Sequence, residues 1–417
     1  MLSQGGVGEP SDSDTKPVVG VDNQVVLIHG DLSTLERVRS VIESRALEKT
    51  RWHRLQFVVI VPGVFHAIMA CADGIGRTYM KDKHSHTDPS STLYHGGIFR
   101  PQDTGKLKGN TPFRMMHDLI KHDGIARRLD VWRVEVSRGD PDVKTLEEWA
   151  ERRQPGWEDI VALSERMVTR YVAQAGFKPG ADAARRDAVF ETGQLRHRDY
   201  LLYEETTYAM NHGDVGRLET CFVKWLYIWK ATGKSKYATY FGDFMRDVHF
   251  VYPEGLRRAI RLNWLCNLRG LPGKFRAIDW VVELNNLYTK HIHGGEFSNR
   301  TLQYLLKESG LIDIYRMSQV NIADNFCMTN RTINHTKPDM TETFKKVRYH
   351  MQTNHTHEYV EGRKGYSVKD KLREGFGILQ TAKRQGITGV EAEIGGDSAE
   401  GDGETSQTID AEDLAIE

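Results

Sequence analysis

Only four of the 417 residues are cysteine, Cys71, Cys221, Cys266 and Cys327, and they lie far apart along the chain. That spacing excludes a disulfide framework and a cysteine-built zinc site, and it predicts reduced, mostly buried thiols in a reducing compartment. Long apolar runs are also missing. The longest charge-free apolar stretch, residues 57–72, is interrupted by Pro62 and His66 and falls short of the roughly 18 residues that a spanning helix requires. The N-terminal residues have neither the basic start nor the apolar stretch of a secretory signal, so an intracellular protein is expected. The sequons at Asn299, Asn330, Asn334 and Asn354 then carry no meaning. No nucleophile elbow, HExxH pair or dinucleotide fingerprint occurs, and Gly273-Lys274 resembles a P-loop only superficially, because Leu268 stands where its first glycine is needed.

Charge of one sign is not in excess either: 57 Lys and Arg balance 57 Asp and Glu. The balance hides an asymmetry. Residues 391–417 hold ten acids and no Lys or Arg, which leaves 57 basic against 47 acidic residues in the rest of the chain. A basic body with a detached acidic tail suits a polyanionic partner. With 39% apolar and 9% aromatic residues, the composition is that of a folding chain.

Residues 1–20 and 391–417 are rich in Gly, Ser, Asp and Glu without apolar periodicity, so both read as disordered tails. Between them, Val25-Val26-Leu27-Ile28 is a short apolar run ending at His29-Gly30-Asp31, the pattern of a buried strand with a polar group at its C-terminal end. Ser33 and Glu36 offer a capping box for a helix carrying Leu35, Val38, Ile42 and Ala46. The pattern repeats as a strand over 55–61, a Pro62-Gly63 break, and a helix bearing Phe65, Ile68, Met69, Ala72 and Ile75. Two successive βα units predict a partly parallel sheet. From 85 to 275 helical stripes replace strands, notably Leu218, Cys221, Phe222, Trp225, Leu226 and Trp229, then Tyr237, Tyr240, Phe241, Phe244, Met245 and Val248. Residues 277–293 read as a helix with Val281, Leu284, Tyr288 and Ile292 facing the core. The fold expected is an α/β half (21–84), a large all-helical insertion (85–275), a closing helix with a helical C-terminal region (276–390) and an acidic tail, predominantly α overall.

Two carboxylates stand out. Asp31 lies at a strand C-terminus, where open α/β sheets gather ligands, although an acid there also serves as a helix cap. Glu283 shares a polar stripe with Asp279, Asn286 and Lys290, which equally describes a solvated face. Together they suggest part of a carboxylate site for Mg2+ or Mn2+, whose chemistry on phosphodiesters requires clustered oxygen ligands. The stretch before the helix is basic: Arg257, Arg258, Arg261, Arg269, Lys274 and Arg276 occur without an acid between Gly255 and Ile278, with Trp264 among them. A phosphate-rich ligand would fit it. Three His-x-His pairs (His84 and His86, His291 and His293, His355 and His357) lack partners at zinc-like spacing. His66 and Asp73, seven apart on a predicted helix, could share a surface.

The motifs HGDLSTLER (29–37), RLQFVVIVPGVFHAIMACAD (54–73), GKSKYA (233–238) and NLRGLPGKFRAIDWVVELNN (267–286) resemble a fungal family, domain of unknown function 6589, over most of residues 24–330. Its layout is similar to that of RNase H-like transposases in which a helical insertion separates the second catalytic Asp from the final Glu. The resemblance matches Asp31 to the second acid and Glu283 to the third, with Lys290, seven residues after Glu283 on the same helical face, as the basic residue for the DNA. It also departs from the pattern: the first acid belongs on an earlier strand, and Asp12, Asp14 and Asp22 are not placed to supply it. The resemblance therefore implies an N-terminally shortened, catalytically impaired transposase-like domain that acts on DNA in the nucleus. A non-enzymatic helical module binding nucleic acid or protein, and a decayed mobile-element relic, are the competing expectations.

Overall fold

The computed structural model describes residues 7–8, 19–20, 24–177, 179, 184–293, 301–328 and 338–384, with the backbone alone at 8, 19–20, 291–293, 306, 313 and 382–384. A parallel pair, β1 (Val7–Gly8) and β2 (Val19–Gly20), lies within the expected N-terminal tail. The rest of that tail and the acidic tail lie outside the described residues.

The two βα units form as the apolar runs predict. Strand β3 (Val26–Gly30) pairs in parallel with β4 (Val58–Pro62), Val26 opposite Val58 and Gly30 opposite Pro62. Each leads into a helix, α1 (Leu32–Ser44) after β3 and α2 (Val64–Tyr79) after β4. The cap of α1 is not the expected Ser33–Glu36 box. Asp31 Oδ1 accepts from the Thr34 N–H at 2.8 Å, so the acid at the strand end starts the helix at Leu32.

Helices then dominate: α3 (Thr92–Phe99), α4 (Thr104–Lys108), α5 (Phe113–Gly139), α6 (Leu146–Arg153), α7 (Trp157–Tyr171), α8 (Ala188–His212), α9 (Val215–Ala231), α10 (Ser235–Arg246) and α11 (Glu254–Asn263). A short antiparallel pair, β5 (Leu265–Cys266) and β6 (Arg276–Ala277), precedes α12 (Ile278–His293). Helices α13 (Leu302–Glu308), α14 (Ile312–Asn325), α15 (Thr341–Thr353) and α16 (Lys371–Arg384) complete the described chain. The architecture is predominantly α with a small parallel α/β part.

One apolar core joins the parts, from Val59 and Val61 of β4 through α2, α5, α8, α9 and α10 to Val347 and Met351 of α15. The stripe read in α9 is buried as expected, with Leu218, Phe222, Trp225 and Trp229 fully enclosed. At roughly 2–3 kcal/mol for each large side chain removed from water, this layer is a principal source of stability. Helix α16 lies against α9, where Phe376 meets the Tyr227 ring edge-on. The approach is so close that a Cβ on Gly375 would collide with the Tyr227 carbonyl.

Two expectations shift. The core-facing residues of α12 are Trp280, Leu284 and Leu287; Tyr288 instead stacks under Arg316 and accepts its hydrogen bond at 3.0 Å. Only two of the four thiols, Cys71 and Cys221, are buried, and Cys327 is exposed. No helix among the described residues is long and apolar enough to cross a membrane.

Candidate functional site

Because β3 and β4 are parallel and in register, their C-terminal ends lie side by side and two helices begin there. The Gly63 N–H donates to the Gly30 carbonyl at 2.8 Å, extending the ladder past the strands. Gly63 is the N-cap of α2 and, having no side chain, leaves that helix uncapped from within its own segment. The first turn of α12 supplies the cap. Asp279 Oδ1 accepts from the Phe65 N–H at 3.1 Å and Oδ2 from the His66 N–H at 3.1 Å. A carboxylate over two free N–H groups at a helix N-terminus is favoured by hydrogen bonding and by the helix dipole together. Asp279 is only 2% exposed, and glycine is required opposite it, since a Cβ on Gly63 would strike its carboxylate.

Asp279 also orients an imidazole. His66 Nδ1 lies 2.9 Å from Asp279 Oδ2; a carboxylate cannot donate, so Nδ1 carries the proton and Nε2 is left to face Glu283 Oε1 at 3.8 Å. Burial by itself would lower the His66 pKa, but the hydrogen bond and charge of Asp279, with the charges of Asp31 and Glu283, outweigh it and the net shift is upward. At His29, burial prevails over the Asp279 charge and the shift is downward.

Asp31 and Glu283 thus act on one imidazole, His66, at the strand ends. The full arrangement is larger than the sequence suggested: His66 and Asp279 belong to it. Both residues drew attention in other roles, His66 as a partner for Asp73 and Asp279 on a solvated stripe. Asp73 instead pairs with Arg77 at 2.8 Å and Lys234 at 2.9 Å, and Asp279 is the buried end of its stripe. The available signal was the i, i+4 spacing of Asp279 and Glu283 directly after a basic turn.

The oxygens are unevenly free. Asp279 is fully engaged in α2 and His66, and Asp31 commits one oxygen to capping α1, whereas Glu283 is a quarter exposed. Among the described residues no three His, Cys, Asp or Glu side chains are arranged to hold a metal ion.

The basic stretch divides. Arg261 grips Glu219 through two hydrogen bonds of 2.8 Å. Arg276 is buried, donates to Asn211 Oδ1 at 3.1 Å and lies over the Trp280 ring. These two are structural, because each is consumed by a neighbour of its own fold. Trp264, which lies among these basic residues in the sequence, is buried, and its Nε1–H donates to the Pro62 carbonyl at 2.8 Å, pinning the end of β4 beside the site. Arg257, Arg258, Arg269, Lys274 and Lys290 form no ion pair among the described residues, and Arg258, Arg269 and Lys290 are exposed.

Among the described residues the histidine pairs assemble no metal site. His84 and His86 are exposed on a short turn. His357 is buried against Asp130 at 2.8 Å while His355 meets Glu358 at 2.9 Å on the surface. The side chains of His291 and His293 lie outside the described residues.

No curated protein and no solved structure matches this chain. A family model described as a family of unknown function, DUF6589, matches residues 1–335. That match spans the βα units, the helical block and α12 together, and on its extent the chain belongs to the DUF6589 family.

Proposed function

We propose that this chain is a transposon-derived, DNA-directed domain of RNase H type whose carboxylate site is catalytically impaired, and that it works in the nucleus. The observation that supports the reading is that Glu283, on α12, faces His66 Nε2 at 3.8 Å at the C-terminal ends of two parallel strands, where the charge of Asp31, at the end of β3, also bears on that imidazole. Open α/β sheets gather ligands at those ends. The exposed basic residues Arg258, Arg269 and Lys290, with Arg257 and Lys274, would contact the phosphate backbone.

In this reading Asp31 and Glu283 would hold a single divalent ion, which when bound offsets charge on phosphodiester oxygens. Asp279 fixes the ring of His66, and His66 Nε2 holds or releases a proton beside Glu283. Two carboxylates, one of them with an oxygen committed to capping α1, are fewer than two-metal phosphodiester chemistry requires, which is the ground for an impaired site.

The test is magnesium-dependent DNA binding, read by fluorescence anisotropy, in Asp31→Asn and Glu283→Gln. Asparagine is as good an N-cap as aspartate, so Asp31→Asn removes charge while α1 stays capped. Loss of the magnesium dependence in both variants is expected. Binding that is sensitive to salt alone and unchanged in both variants would favour the second reading, a non-enzymatic nucleic-acid or protein-binding module. The use of Asp31 and Asp279 as helix caps is the observation on that side.

A further inference from the structure

Strands β5 and β6 are the two sides of a hairpin, with Leu265 opposite Ala277 and Cys266 opposite Arg276. Its base is clamped beside the carboxylate site. On one side it follows Trp264, which is buried and bonded to the end of β4; on the other, β6 runs directly into α12, whose second residue is Asp279. The Phe275 N–H donates to the Asn211 carbonyl at 3.0 Å and Arg276 to Asn211 Oδ1 at 3.1 Å, which ties the same base to the end of α8.

The tip is different. Residues 268–272, Leu-Arg-Gly-Leu-Pro, are all exposed, and Leu268 and Leu271 are 63% and 50% open to solvent. Its own hydrogen bonds give it a defined shape. The Gly270 N–H donates to the Asn267 carbonyl at 3.3 Å, and the Leu271 carbonyl accepts from the Lys274 N–H at 3.2 Å and from Asn267 Nδ2 at 2.8 Å. These are two tight turns, and Gly270 and Gly273 supply the positive φ, 65° and 69°, that such turns require.

A single exposed leucine is ordinary on a protein surface. Here two stand on one preformed tip, with Arg269 between them, Lys274 at its foot and no acid anywhere from 256 to 277. A partner that suits both features carries dense negative charge and offers apolar surface between its charges. Duplex DNA does so, because its base pairs stack between two phosphate backbones. The tip of a β-ribbon enters a DNA groove, and leucine is among the side chains that wedge between base steps. A membrane also sets charge over an apolar layer, but binding there grows with the apolar area buried, and this tip offers two leucines and a proline.

We propose that the tip 268–272 is a wedge that enters a groove of duplex DNA and unstacks the bases it meets with Leu268 and Leu271, while Arg269 and Lys274 hold the flanking phosphates. The proposal rests on the DNA-directed reading above and deepens it, since the partner becomes a duplex kinked next to the carboxylate site.

The test uses the full chain and a set of duplexes that carry 2-aminopurine, whose emission rises on unstacking, at successive positions. The anisotropy of an end label reports binding separately. The parent chain should raise the 2-aminopurine emission at saturation, and the double variant Leu268→Ser, Leu271→Ser should lose that rise while it still binds with the same salt dependence. Arg269→Ala should do the converse, binding more weakly but keeping the rise once saturated. All these side chains are exposed, so the variants should melt with the parent chain. Binding that leaves the emission unchanged, or a rise that survives in the double variant, overturns the wedge and leaves the DNA reading standing. No binding of the duplex by the parent chain removes the DNA reading and the wedge with it. Binding to phosphatidylserine vesicles that the double variant loses, without any rise on DNA, would assign the tip to a membrane instead.

Discussion

Asp279 Oδ2 accepts both the backbone N–H and the ring Nδ1–H of His66, 213 residues earlier in the chain, at 3.1 Å and 2.9 Å. One buried carboxylate thereby caps α2, sets the tautomer of the imidazole and fixes the rotation of α12 that turns Glu283 towards the strand ends. Structure and chemistry at this site share a single residue, so variants must be chosen to separate them.

Asp279→Asn should destabilise the protein by about 2–4 kcal/mol, because the amide cannot accept the ring proton as a carboxylate does and leaves buried donors unsatisfied. Glu283→Gln should stay within about 0.5 kcal/mol, since Glu283 is partly exposed and its nearest charged neighbour is His66 at 3.8 Å. Urea unfolding of the two variants checks the contrast; equal losses would mean that Asp279 is not the buried cap.

Gly63→Ala should also be severe. The new methyl group would meet the Asp279 carboxylate and lie 2.8 Å from the Gly30 carbonyl, and neither can retreat without breaking the α2 cap or the end of the strand ladder. A loss of about 1–3 kcal/mol is expected. A melt unchanged from that of the parent chain would contradict this packing.

The basic residues should sort into two groups. Substituting Arg258, Arg269 or Lys290 by alanine should weaken DNA binding, reduce its dependence on salt by about one charge each, and leave the melting temperature alone. Arg261→Ala and Arg276→Ala should lower the melting temperature instead, because the buried Glu219 loses its guanidinium partner and Asn211 Oδ1 its donor. Trp264→Phe belongs with the second group, since the Pro62 carbonyl would lose its donor. Anisotropy titrations at several salt concentrations, paired with thermal melts, distinguish the groups.

Acid should unfold the protein from below neutrality. Burial pushes His95 down to about 4 and His117 to about 3, whereas in the unfolded chain both take up protons near the ordinary value of about 6.5. Between those limits the unfolded state binds more protons, so the stabilisation is complete above pH 6.5 and is lost as pH falls towards the folded values. With two such groups the limiting slope is roughly 2.7 kcal/mol per pH unit. His66, whose folded pKa is raised, acts in the opposite sense: its contribution is present below about pH 6.5 and lost as pH rises through the folded value. Denaturant unfolding at pH 7.5 and pH 5 should give the lower midpoint at pH 5; the reverse order would show that the two buried histidines do not dominate.

The amino-acid sequence alone determined the elements. The apolar runs of β3 and β4, the aromatic stripes of α9 and α10 and the extent of α12 were legible because side-chain periodicity follows from covalent spacing, 2 for a strand and 3.6 for a helix. Asp31 and Glu283 could be singled out because an acid after a strand and an acid on a helix are local facts. What those acids touch is not local. The role of Asp279 follows from its packing across the ends of β3 and β4, the partner of His66 from the same packing, and the burial of Trp264 and Arg276 from which face α11 and β6 turn inward. The sharing of the Ser90 carbonyl by Arg127 of α5 and Arg196 of α8 likewise exists only where those helices come together. Such contacts depend on how faces hundreds of residues apart come together, and tertiary structure alone decided them, because burial and hydrogen bonding select among pairings that the sequence pattern leaves equivalent.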